Sequence, residues 1–179
     1  MTSIIKADNI STVSGSGNIT IPAGVKVVGT DVASIYAPGH VVQVVKELGL
    51  AGSPTSNSTS YVDDGIEATI TPKFNNSIIL VYAMTGDSNA GGYSYYRVRN
   101  ITDNVSVTNV PCGNFSASPQ WLVGVTMFGA YVVNSTAART FRVEGASNTT
   151  STRYKRYSAS TADGVSTGSG IIILTEIAQ

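Results

Sequence analysis

Tyr61-Val-Asp-Asp-Gly-Ile-Glu-Ala-Thr-Ile-Thr-Pro-Lys-Phe-Asn-Asn-Ser-Ile-Ile-Leu-Val-Tyr-Ala-Met84 is the stretch whose pattern decides the fold class. Ile66, Ala68 and Ile70 alternate with Glu67, Thr69 and Thr71. A strand sends successive side chains to opposite sides, so this alternation buries one face and wets the other. Pro72 has no backbone N–H and ends the ladder. Asn75, Asn76 and Ser77 follow, and their short polar side chains bond to nearby backbone in turns. Ile78–Val81 is then a continuous apolar run, extended by Tyr82–Met84, as expected of a strand covered on both faces. The stretch predicts two strands joined by a turn, a hairpin at the centre of the fold.

Working outward, the same vocabulary recurs. Val41, Val42, Val44 and Val45 surround Gln43 after the turn Ala37-Pro38-Gly39-His40. Valine stiffness favours a strand there over a helix running through Lys46-Glu47-Leu48. Beyond the centre, Tyr93, Tyr95, Arg97 and Arg99 alternate with Ser94, Tyr96 and Val98. Val105 and Val107 mark a further strand, and Pro111–Pro119 reads as a loop. Trp121–Val133 is long and apolar, with Gly124 and Gly129 suggesting a buried strand with a bulge. Phe141 and Val143 point inward from another strand, and Ile171–Ile177 closes the chain as a strand that buries Ile173. Eight to ten strands with turns between them and no helix predict an all-β fold. A two-sheet jelly-roll-like β-sandwich spanning 39–179 manages its sheet edges best.

Residues 1–38 differ. Short β-like pieces (Ser3–Lys6, Asn18–Ile21, Val25–Val28) are separated by Ser14-Gly15-Ser16-Gly17, Pro22-Ala23-Gly24 and Gly29-Thr30-Asp31. Each is too short to stand alone in water. They are expected to form an extended N-terminal β-arm or stem that needs a partner. The first residues lack the charged-then-apolar pattern of a signal peptide, and no apolar run reaches the ~18–20 residues that span a bilayer. No membrane insertion is therefore expected.

Composition narrows the function classes. Charged residues make up 12% of the chain, about half the usual ~25%. Eleven basic residues balance eleven acidic ones, so nothing draws the chain to nucleic acid. Cys112 is the only cysteine and His40 the only histidine, which rules out an intrachain disulfide and a Cys/His zinc site within one chain. Asp63, Asp64 and Glu67 could offer oxygens, but calcium takes six to eight ligands, usually from several segments, and adjacent Asp residues before Gly65 read more simply as a turn. Nothing pairs two carboxylates across a cleft as glycoside cleavage requires. No catalytic residue, metal or cofactor is expected.

Four tyrosines, Tyr93, Tyr95, Tyr154 and Tyr157, are candidates for contact with host surface glycans, because each ring has an apolar face and a polar tip. The competing reading makes them core or subunit-interface residues, where tyrosine is equally favoured. Arg153, Lys155 and Arg156 form a local basic cluster suited to a solvated loop or an ion pair between subunits. Apolar residues on both faces of Trp121–Val133 and Gly170–Ile177 exceed what one sandwich interior can cover. Symmetric self-association would cover the rest.

Ser58–Pro72, read as Ser-Thr-Ser-Tyr-Val-Asp-Asp-Gly-Ile-Glu-Ala-Thr-Ile-Thr-Pro, followed by Asn76-Ser-Ile-Ile-Leu-Val81, resembles a module of tail-fibre-like proteins of marine and environmental bacteriophages. The resemblance continues at Tyr96-Arg-Val-Arg99, Thr140-Phe-Arg-Val143 and Gly170-Ile-Ile-Ile-Leu-Thr-Glu-Ile-Ala178, and starts near Tyr36. It implies a virion surface protein with a β-sandwich head, assembled as a homotrimer in the host cytoplasm, and it brings no catalytic residue. The N-terminal phrases resemble fibre segments that form stems or attachment arms, which implies docking on other virion proteins. Tail fibre, spike and capsid decoration all fit. A free carbohydrate-binding β-sandwich, or a small depolymerase acting through Asp63 or Glu67, are the readings from other classes.

Overall fold

The computed structural model describes residues 38–49, 55–89, 92–114, 123–150, 152–154, 159–160, 166–167 and 170–179. All belong to one compact unit, Tyr36–Gln179. Apart from Pro38, the expected arm lies outside the described residues.

Eight principal strands build the unit: β1 (Val41–Leu48), β2 (Val62–Ile70), β3 (Ile78–Asn89), β4 (Gly92–Asn100), β5 (Val110–Asn114), β6 (Val123–Val132), β7 (Arg139–Ser147) and β8 (Ile171–Ile177). No helix occurs among the described residues. One sheet runs β1-β8-β3-β6 and the other β2-β7-β4-β5, all antiparallel. The pairs nest: β1 with β8, β2 with β7, β3 with β6, β4 with β5. A long antiparallel ribbon rolled so that its successive pairs fall in alternate layers, with the last pair beside the second, is a jelly roll. Two-residue strands extend the sheets: Arg153–Tyr154 bridges the end of β3 to Thr55–Ser56, and Val105–Ser106 pairs with the end of β4.

The expected central hairpin does not form. β2 lies in one sheet and β3 in the other, so Pro72–Ser77 crosses between layers. The reason is edge occupancy: β8 and β6 take both edges of β3. Val110–Asn114, expected as part of a loop, is instead a strand on β4. β6 carries no bulge, and its register with β3 is unbroken from Asp87–Val123 to Ile78–Val132. Gly129 has a different purpose: a Cβ there would come 2.7 Å from Thr108 Cγ2 and 3.0 Å from the Val107 carbonyl. The segment 107–108 presses onto β6 at that point. Along β1 the register against β8 shifts between Val41 and Gln43, and a bulge sits in β2, where the register shifts between Asp63 and Ile66. Gly65 takes a φ of +77° there, and its N–H donates to Asp63 Oδ1 at 2.7 Å.

The interior lies between the layers. Ile66 and Ile70 of β2, Ile79 and Val81 of β3, Tyr96 of β4, Met127 of β6, Phe141 of β7, and Ile172 and Leu174 of β8 are fully buried in one cluster. Ile173 is not among them; it points to the opposite side of β8 and is half-buried. Period two decides this, because a strand that buries Ile172 and Leu174 must turn Ile173 away.

One carboxylate holds the crossover in place. Glu176 is fully buried. Its Oε1 accepts from Ser77 Oγ (2.7 Å), Lys73 N (2.8 Å) and Phe74 N (3.3 Å), and its Oε2 accepts from Gln43 Nε2 (2.6 Å). A buried carboxylate persists when donors surround it, and these come from β1 and from the 72–77 crossover. At the same strand end, Asp103 Oδ2 accepts from Arg139 Nε (2.6 Å), Tyr131 Oη (2.7 Å) and Asn100 Nδ2 (2.8 Å). Chiefly through the Tyr131 hydroxyl, against an opposing effect of burial, and with Asn100 and Arg139 adding to it, the Asp103 carboxyl is held below the usual carboxylate range.

Glu176→Ala leaves the donors at Lys73, Phe74 and Ser77 without their acceptor, and urea melts should show a loss of at least about 3 kcal/mol. Asp103→Asn should cost about 1–2 kcal/mol at pH 7. Because the folded-state carboxyl titrates below its unfolded value of ~3.9, that contribution is complete above the unfolded value and disappears as pH falls through the folded one. The stability gap between the parent chain and Asp103→Asn should therefore hold from neutral pH to about pH 5 and close below about pH 4.

Candidate functional site

A two-layer sandwich has two outer faces, and here they differ in kind. Across β6-β3-β8-β1 the register sets the outward residues in four rows: Val132, Ile78, Ile177, Val41; Ala130, Leu80, Thr175, Val44; Phe128, Tyr82, Ile173, Lys46; and Thr126, Met84, Ile171, Leu48. Among these sixteen positions only Thr126, Thr175 and Lys46 are polar. The face is open: Phe128 is 67% exposed, Val132 63%, Val44 and Leu48 58% each. Scattered exposed apolar residues are ordinary on a protein surface, but a contiguous lattice of them marks an interaction site.

The outer face of β2-β7-β4 is built from charge. Arg97 on β4 bonds Glu144 on β7 through Nε and Nη2, both at 2.7 Å, and Arg99 reaches the same carboxylate at 3.5 Å. Arg142 on β7 bonds Glu67 on β2 at 2.5 Å and Asp63 at 3.3 Å. Partial burial of Arg142 acts to lower its pKa. The hydrogen bond it donates to Glu67 and the charges of Asp63, Glu67 and Glu144 outweigh burial and raise it. The Arg97 guanidinium also lies 4.1 Å from the centre of the Tyr61 ring. In a chain so poor in charge, this face gathers three arginines and three carboxylates into neutral ladders suited to water.

The carboxylates singled out in the sequence are divided. Asp63 and Glu67 meet Arg142, while Asp64 is buried. Among the described residues no three His, Cys, Asp or Glu side chains group as metal ligands.

The structure separates the four candidate tyrosines. Tyr93 and Tyr95 stand on the outer side of β4, as the alternation predicted, with Tyr93 41% exposed and Tyr95 half-buried. The Tyr93 backbone is clamped at both atoms: its N–H donates to Asn148 Oδ1 (2.7 Å) and its carbonyl accepts from Asn148 N (2.9 Å). Tyr154 belongs to the other sheet, its backbone paired with Ser88 near the end of β3. Tyr157, Lys155 and Arg156 lie outside the described residues, as does Trp121. Tyr96 and Tyr131 serve the fold: Tyr96 is buried and donates to Asp87 Oδ1 at 2.6 Å, and Tyr131 packs edge-on against Phe141. The apolar lattice was visible in part, as the excess of apolar residues in β6 and β8. Its β1 and β3 members needed the strand order.

Neither a protein-family model nor a curated protein matches the chain. Solved structures do, at low identity. Eiger TNF from S. frugiperda aligns at 9% identity over 80% of this chain and 96% of its own, with a TM-score of 0.46. Dimeric latent PorU from Porphyromonas gingivalis aligns at 10% identity over 84% of this chain and 14% of its own, with a TM-score of 0.44. Infectious bursal disease virus VP2, in a subviral particle, aligns at 10% identity over 85% of this chain and 45% of its own, with a TM-score of 0.38. The chain spans nearly all of the first and less than half of the other two.

The ion pairs on the charged face are partly exposed, with side-chain exposures of 29% for Arg142 and 40% for Glu67, so solvent screens them. Arg142→Gln should cost no more than about 1 kcal/mol in urea melts, and 1 M salt should narrow that difference.

Proposed function

We propose that this chain is a non-enzymatic structural subunit of a virion surface: the jelly-roll head of a short trimeric fibre, knob or decoration protein. The observation that carries the reading is the contrast between the two outer faces. One is neutralised by ion pairs and suits solvent. The other is an apolar lattice that a monomer would leave in water, at roughly 25 cal/mol for each Å² left uncovered. A second copy of the chain supplies matching apolar cover.

The viral setting rests on the resemblance to phage tail-fibre modules. Its phrases fall on β2, β3, β4, β7 and β8, the strands that form most of the core. Residues 1–38 serve in this reading as the arm that joins the head to other virion proteins. The exposed Tyr93, with Tyr95 beside it on the charged face, is where a host glycan would make contact.

Light scattering of the full chain should give a trimer mass, and Phe128→Glu should shift it to a monomer with an unchanged β-rich circular dichroism spectrum. A wild-type monomer with measurable sugar affinity would replace this reading with the free lectin. Antibody-gold on intact virions should label the tail or the shell. Labelling of no particle would remove the virion assignment.

A further inference from the structure

Three tyrosines share the charged face, and their setting narrows the ligand class for the glycan contact just proposed, on which this inference rests. Tyr93 and Tyr95 stand on β4 far from where the chain enters the unit. Entry and exit lie together: Gly39 N donates to the Ala178 carbonyl at 2.8 Å. Gln43 Nε2 reaches the Thr71 carbonyl from that end of β1. Ile70 pairs there with Arg139, and Asn100 with Phe141. Tyr93 stands at the opposite end of β4 from Asn100, about 24 Å away at ~3.4 Å per residue. Tyr61 comes in just before β2, whose Val62 pairs with Gly145 toward the same far end.

These side chains are held in place. The Arg97 guanidinium lies over one face of the Tyr61 ring, 4.1 Å from its centre, and the Tyr61 hydroxyl donates to Asn109 Oδ1 at 2.9 Å. The other ring face is turned away from Arg97. Tyr93 is fixed through its backbone by Asn148. Ala146 pairs with Tyr95 and faces outward, yet is only 3% exposed. Side chains beside it therefore lie across the sheet instead of standing off it. Rings already fixed lose little freedom on binding. Such rings suit the C–H face of a pyranose, and the exposed Asn148 beside Tyr93 suits its hydroxyls. Charge decides the class. Arg97 uses every guanidinium nitrogen: Nε and Nη2 on Glu144, Nη1 on Ser106 Oγ at 3.4 Å. Arg99 reaches Glu144 as well, and Arg142 binds Glu67 and Asp63. Each arginine of the face thus already has a carboxylate. An anionic sugar would find no uncommitted cation here and would meet three like charges.

We infer that Tyr61, Tyr93 and Tyr95, at the end of the charged face away from the chain entry, form a subsite for an uncharged saccharide.

An array tests this, with the full chain applied to neutral saccharides (dextran, mannan, galactan) printed beside acidic ones (polygalacturonate, polysialic acid, heparin). The expected result is binding to at least one neutral saccharide and to no acidic one, unchanged in about 0.5 M salt. Tyr61→Ala and Tyr93→Ala should each weaken it about tenfold or more, with the circular dichroism spectrum and assembly mass of the parent chain. Thr69→Ala, on the same face near the entry end, should bind as the parent does. Equal or exclusive binding of acidic saccharides, or loss in salt, would overturn the uncharged class and leave a glycan contact standing. Neutral binding that survives both tyrosine changes, or that falls equally in Thr69→Ala, would overturn the site. Binding to no saccharide, with the trimer mass intact, would remove the glycan contact while the structural reading stands.

Discussion

Strand geometry sends alternate side chains to opposite faces, and a sandwich has a single interior. Everything else in this domain follows from that constraint. Each of β3, β6 and β8 is apolar at consecutive positions, yet each can give only one set to the core. Ile79 and Val81 enter the interior while Ile78 and Leu80 remain outside; Ile172 and Leu174 enter while Ile173 stays out. The side chains left over are in register across four strands, so they merge into one continuous face rather than scattered exposures.

The polar groups show what the crossing between layers requires. The 72–77 crossover leaves regular hydrogen bonding, and Glu176 supplies acceptors to its N–H groups from the far end of the chain. Gln43 on β1 binds the same carboxylate and also donates to the Thr71 carbonyl at 2.7 Å, so three distant segments meet at one buried charge. Asp103 does comparable work at the loop after β4, where Asn104 takes a φ of +59°. Its partners Tyr131 and Arg139 flank the connection from β6 to β7. Both carboxylates tie the two layers together where backbone ladders cannot reach.

The charged face shows the complementary economy. Arg97, Arg99 and Arg142 are interleaved with Glu144, Glu67 and Asp63 on neighbouring strands, so the face is hydrophilic without carrying net charge. Such pairs add little stability singly. Their effect is to make one surface soluble while the opposite one is free to be apolar. The two outer faces thus differ in kind, one neutral and ion-paired, the other apolar.

Local pattern was enough for much of this. Alternation at 66–71 and 93–99, the valines of β1, the closing Ile171–Ile177 strand and the all-β class were legible in the sequence, because period two is a property of neighbouring residues. So was the surplus of apolar side chains. Tertiary structure alone decided which sheet each strand joins, since β1 pairs with β8, and β2 with β7, across long intervening stretches of chain. It moved β2 and β3 into opposite layers, turned Val110–Asn114 into a strand, and gave Gly129 to a close approach rather than a bulge. It also separated the candidate tyrosines between two sheets. Glu176 looked like one polar residue in an apolar run, and only the fold brought its four donors to it. The apolar face is likewise a product of register: its rows join residues from 41 to 177, and no local window contains them.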